Sequence, residues 1–122
     1  MRINRAIETV KKERPTLAGE DCFLLWLTTL DGRVQTDIFG LSPKETLKYT
    51  AEDIKNDAEL LIPSPYDVCY IHYLSAMIDV ENGEFERYAN DYELFNAAFD
   101  DYAKYCQRNA LCKSKLFEFR GW

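Results

Sequence analysis

Residues 66–80, YDVCYIHYLSAMIDV, are apolar at almost every position, with His72, Ser75 and Asp79 as interruptions after Asp67. A helix that is apolar on nearly every side must be covered on nearly every side, so it is the central element of the fold. Ser64 suits its N-cap, Pro65 its first position and Asp67 its first turn. Asn82-Gly83 follows as a left-handed stop. Next come Phe85, Tyr88, Tyr92, Phe95, Phe99, Tyr102 and Cys106, spaced alternately three and four residues apart. That spacing is one stripe of a helix running from Glu84 or Glu86 to about Asn109. Two long helices joined by so short a turn lie antiparallel as an αα-hairpin.

The N-terminal third adds two further helices. Ile3, Ile7 and Val10 share a face that ends at Arg14, because Pro15 disfavours helix in the residue before it. Thr16 is the expected N-cap of the next helix, with Glu20 and Asp21 in its first turn. Phe23, Leu27, Leu30, Val34 and Ile38 then keep one period through Asp31-Gly32, which predicts a continuous helix that absorbs Gly32 at about 1 kcal/mol. Gly40 ends it. Residues 40–64 are expected to be irregular, with Tyr49, Ile54 and residues 60–62 extended and paired with a neighbour or with the tail. The expected fold is therefore all-α, with about four helices in a single domain over residues 1–109. An extended C-terminal tail, 110–122, follows.

Charge is unevenly distributed. Of the net −6, residues 1–14 carry +3 and residues 107–122 carry +3, which leaves −12 between them. Such a body repels backbone phosphates, so sequence-specific nucleic-acid binding is not expected. Basic ends on an acidic body suit a tail lying on a neighbouring subunit, although two solvated basic termini account for the same numbers. The run of about 18 apolar residues required for a membrane span is lacking, as is an apolar signal core behind Met1. Cys22, Cys69, Cys106 and Cys112 are too irregularly spaced for a zinc knuckle or a redox pair and are expected to be reduced.

Few residues suggest chemistry. Cys69 and His72 stand one turn apart as a possible nucleophile and base, but they sit on an apolar helix with no orienting third group, so a buried, hydrogen-bonded His72 is the expectation. Asp79, Glu81, Glu84 and Glu86 offer carboxylates for a cation but lack the fixed spacing of a calcium loop, and they read as a solvated turn. Asp31 and Asp37 read as helix-surface acids, with Asp31 able to hydrogen-bond locally beside Gly32. No catalytic residue, metal or cofactor is assigned. The aromatic stripe is core, or a subunit seam, or both along its length. The candidate interface residues are Tyr88, Tyr92, Tyr102 and Tyr105 on the helix, with Leu116, Phe117, Phe119, Arg120 and Trp122 in the tail.

Three segments carry a resemblance: LLIPSPYD over residues 60–67, IDVENGEFERY over 78–88, and FNAAF over 95–99. With WLTTLDGRVQTDI over residues 26–38, they resemble head–tail connector proteins, also called adaptor or head-completion proteins, of tailed phages and prophages of Firmicutes. The resemblance implies an α-helical subunit of a homo-oligomeric ring at the virion neck, contacting portal protein and tail or head-completion proteins, with no catalytic residues. The alternative, from a different class, is a small acidic regulator of a mobile element that mimics DNA.

Overall fold

The computed structural model describes residues 1–109; the tail 110–122, with Leu116, Phe117, Phe119, Arg120 and Trp122, lies outside the described residues. Five α-helices follow in order: α1 (Ile3–Glu13), α2 (Glu20–Arg33), α3 (Ala51–Lys55), α4 (Val68–Glu81) and α5 (Phe85–Arg108). A π-helical turn, Val34–Ile38, extends α2, and a 3-10 turn, Pro43–Glu45, lies in the long connection. Among the described residues there is no strand. The all-α class and the central hairpin agree with the sequence reading.

The hairpin is built as its pattern dictates. On α4, Cys69, Tyr70, Tyr73, Leu74, Ala76 and Ile78 are buried, and the helix packs against α1, α2 and α5. At its end, Gly83 has φ +72°. The Gly83 N–H donates to Val80 O at 3.1 Å and the Glu84 N–H to Asp79 O at 2.9 Å. These two bonds are the Schellman pair that satisfies the last carbonyls of a helix. The entry to α4 differs from expectation. Residues 64–67 form turns with a cis Ser64–Pro65 bond, and the helix begins at Val68 with Asp67 at its N-cap.

Helix α1 buries Ile3, Ala6, Ile7 and Val10, and the predicted stop holds: Arg14 is extended before Pro15. Its first N–H groups, which have no partner within the helix, are met from far along the chain. The Ile3 N–H donates to Ala58 O at 2.9 Å and the Asn4 N–H to Asp57 Oδ1 at 3.3 Å. Helix α2 passes through Gly32 without a break, as the apolar period predicts, and Gly40 (φ +75°) terminates the extension. Thr16 does not cap it. Its Oγ1 accepts from the Ala18 N–H at 3.0 Å, and Gly19 takes the N-cap position.

Residues 40–64 are more ordered than their composition suggests. The Thr50 N–H donates to Asp53 Oδ2 at 2.7 Å, which starts the single-turn helix α3 and places Ile54 in a helix rather than an extended segment. In place of paired strands there is one isolated antiparallel bridge, Arg2 to Glu59, with the Leu60 N–H donating to Met1 O at 3.0 Å. Leu60 and Ile62 are buried in the same core as Phe23, Leu27, Leu30, Tyr70 and Phe95.

Candidate assembly surface

The aromatic ladder of α5 is graded along its length. Phe85, at the first turn, is 68% exposed. Tyr88 and Tyr92 are half-buried, Phe95 is fully buried, Phe99 is half-buried and Tyr102 is buried. Rings follow one another from Tyr88 to Tyr92 (5.4 Å), Phe95 (5.4 Å) and Phe99 (5.6 Å). Tyr73 of α4 closes on Phe95 at 5.0 Å, and the Arg33 guanidinium lies 4.9 Å from the Phe99 ring centre. Farther along, Tyr66 contacts Tyr102 at 5.7 Å and Tyr105 at 5.0 Å. Offset and tilted rings at these separations add to the area they bury. Of the four candidate tyrosines, Tyr102 is therefore core within one chain, while Tyr88, Tyr92 and Tyr105 sit at its rim.

The outer face of α5 presents Glu84, Glu86, Glu93, Asp100 and Asp101 to solvent, with Lys104 paired to Asp100 at 2.9 Å. Asp91 does not belong to that face. Its side chain is 12% exposed, and Arg14 Nη2 donates to Asp91 Oδ2 at 2.9 Å. The same guanidinium places Nε 3.1 Å from Asp79 Oδ1. That second contact is close but misaligned: neither Nε nor either Asp79 oxygen makes a hydrogen bond among the described residues. Asp79 is thus no member of a solvated turn, whereas Glu81, Glu84 and Glu86 are exposed as expected. Burial pushes the Asp79 carboxyl up to about 6, and its contact with Asp91 adds to the rise against the pull of Arg14. For Asp91 burial acts upward too, but the contacts with Asp79 and Arg14 outweigh it and hold this carboxyl below its ordinary range. Asn82 completes the joint, donating from Nδ2 to Pro15 O at 2.7 Å. The α1–α2 linker is thereby tied to the hairpin end by charge and by a hydrogen bond.

A second buried acid, Asp31, holds the other side of the molecule. It is 1% exposed, not a surface residue as its charge suggests. Tyr70 Oη donates to Asp31 Oδ1 at 2.6 Å, and Tyr49 Oη and the Leu61 N–H both donate to Oδ2. Burial pushes its carboxyl up to about 6, with the three donors pulling the other way. One turn on, the buried Gln35 donates from Nε2 to Asp31 O and accepts from the Leu47 N–H at 3.0 Å. Together Asp31 and Gln35 fasten the long connection to α2 at Leu47, Tyr49 and Leu61. Sequence reasoning missed both acids, yet the signal was present: Asp31 lies on the Leu27–Leu30–Val34 stripe, and Asp79 lies in a helix apolar on all sides.

Cys69 and His72 do not form an activated pair. Burial pushes the Cys69 thiol up to about 12, away from the thiolate a nucleophile requires, and His72 is half-buried rather than fully enclosed.

Among the described residues six large apolar side chains are exposed: Leu25, Val68 and Leu94 stand apart on α2, the start of α4 and the middle of α5, and the other three belong to the hairpin end and the linker bonded to it. Leu17 is 103%, Phe85 68% and Val80 42% exposed. All three lie within three residues of the Asn82–Pro15 bond, and Glu81, Glu84 and Glu86 stand exposed beside them. Comparison with protein-family models, with curated proteins and with solved structures finds no match to this chain.

Proposed function

We propose that this chain is a structural subunit of a phage or prophage head–tail connector, assembling with copies of itself into a ring that joins portal to tail at the virion neck. The reading rests on the resemblance, and one structural observation supports it. Three of the resembling segments, 60–67, 78–88 and 95–99, fall on one unit: the approach to α4, the Schellman turn, and the buried middle of α5. The fourth, 26–38, lies on α2 and its π-helical extension, and α2 packs on α4. A specific pattern that coincides with one packed element is what a shared subunit body requires. The apolar residues left exposed at that unit's end suit self-association, since surface of this kind is buried in assemblies.

Electron microscopy and sedimentation of the full chain, alone and with purified portal, test the proposal. Rings, or complexes with portal, support it. A strict monomer that never joins portal overturns it. The exposed Glu84, Glu86, Glu93, Asp100 and Asp101 favour the second reading, an acidic DNA mimic. That reading instead requires the chain to compete with DNA for a DNA-binding protein, with an affinity that falls steeply as salt rises.

A further inference from the structure

We infer that the hairpin end, Leu17, Val80 and Phe85 with its acidic rim, is a docking surface for the C-terminal tail of a second copy of this chain, an inference that rests on the self-assembly reading above. The chemistry of the two partners is complementary. The surface has three exposed apolar side chains beside Glu81, Glu84 and Glu86. The tail places Leu116, Phe117, Phe119 and Trp122 among Lys113, Lys115 and Arg120, with a net charge of +2 over residues 110–122. An apolar centre with opposite charge around it is the arrangement that steers and registers an interface.

Reach separates a chain's own tail from a neighbour's for the first apolar residues of the tail. The tail leaves from the far end of α5, whose 24 residues separate it from Phe85 by about 36 Å. Leu116 is seven residues beyond Asn109 and extends at most about 25 Å from it; Phe117 extends about 28 Å. Neither reaches the hairpin end of its own subunit, Phe119 gets there only with the backbone drawn straight, and Trp122, thirteen residues out at about 45 Å, does reach it. Seating Leu116 and Phe117 there therefore takes a neighbour's tail. A head-to-tail contact of this kind repeats from subunit to subunit and closes into a ring when the rotation permits.

The test uses the full chain with Phe85→benzoylphenylalanine, a photo-crosslinking replacement at an exposed position. Unlabelled and nitrogen-15-labelled copies are mixed, irradiated, digested with trypsin and read by mass spectrometry, with electron microscopy of the same mixture. Trypsin releases residues 116–120 as one peptide, and the expected result is a mixed-isotope crosslink from position 85 to that peptide. Its yield is expected to fall roughly fivefold or more with E81K/E84K/E86K and with F117S/F119S. Crosslinks confined to one chain, crosslinks to other segments, or none overturn the inference. Rings without the tail crosslink overturn it and leave the assembly reading standing. Monomers without crosslinks overturn both, while crosslinked pairs that never close support the contact and contradict the ring.

Discussion

Two stretches of the same helix use the same kind of residue in opposite ways. In the middle of α5, Phe95 is fully buried and touches Tyr73, Tyr92 and Phe99, and Tyr102 is covered by Tyr66. At its start, Phe85 continues the same stripe yet remains mostly exposed, four residues past the end of α4. The periodicity is identical, so periodicity does not separate them. What separates them is cover: Tyr73 of α4 lies over Phe95 and Tyr66, ahead of α4, over Tyr102, whereas Phe85 stands at the turn with its ring in solvent. A stripe therefore serves folding where another element lies over it and is left for other contacts where none does.

The comparison breaks first at its buried side. Phe95→Ala is expected to cost 3–5 kcal/mol, read as a loss of stability in urea unfolding, because both transfer and cavity terms apply at a fully covered ring. A cost below 1 kcal/mol would mean that the ladder's middle is not core.

Arg14→Ala is expected to cost about 2–3 kcal/mol at pH 7, since it strands two carboxyls that share one guanidinium in a largely buried joint. The penalty should shrink at pH 5, where Asp79 takes up a proton, and unfolding curves at the two pH values measure it. The sign for Asp31 can be worked out likewise. Its folded value, about 6, lies above the ordinary carboxylate value, so its contribution is full below about pH 4 and is lost as pH rises through 6. Two pH units correspond to about 2–3 kcal/mol. D31N should flatten that part of the stability profile between pH 4 and 7, and an unchanged profile would remove Asp31 as its source.

The helical hairpin, the Asn82–Gly83 stop and the face of α1 were legible in the sequence because each is written in residues a few positions apart. The joints were not. Asp31 meets Tyr49, Leu61 and Tyr70, and Asp79 and Asp91 meet Arg14, across sequence separations no local pattern spans. A charged residue is also read as surface by default, and only tertiary packing overrules that. Helix α3 escaped because a single turn has no period to detect.

Gly83→Ala probes the turn that divides the two regions. No atom lies within 4 Å of an added Cβ, so the expected cost of about 1–2 kcal/mol comes from the left-handed backbone alone. The smallest folding effect belongs to the exposed side. Phe85→Ser should change stability by less than about 0.5 kcal/mol, because its ring is largely in solvent already. Thermal melting measures both.

The division of the ladder is tested most directly by native mass spectrometry of the full chain and of Phe85→Ser across one concentration series, with melting followed on the same samples. The expected result is closed oligomers in the parent chain, their loss in the variant, and melting curves that coincide at dilutions where both chains are monomeric. Equal oligomers in both, or monomers in both, would contradict the assignment of the buried middle to folding and the exposed end to assembly.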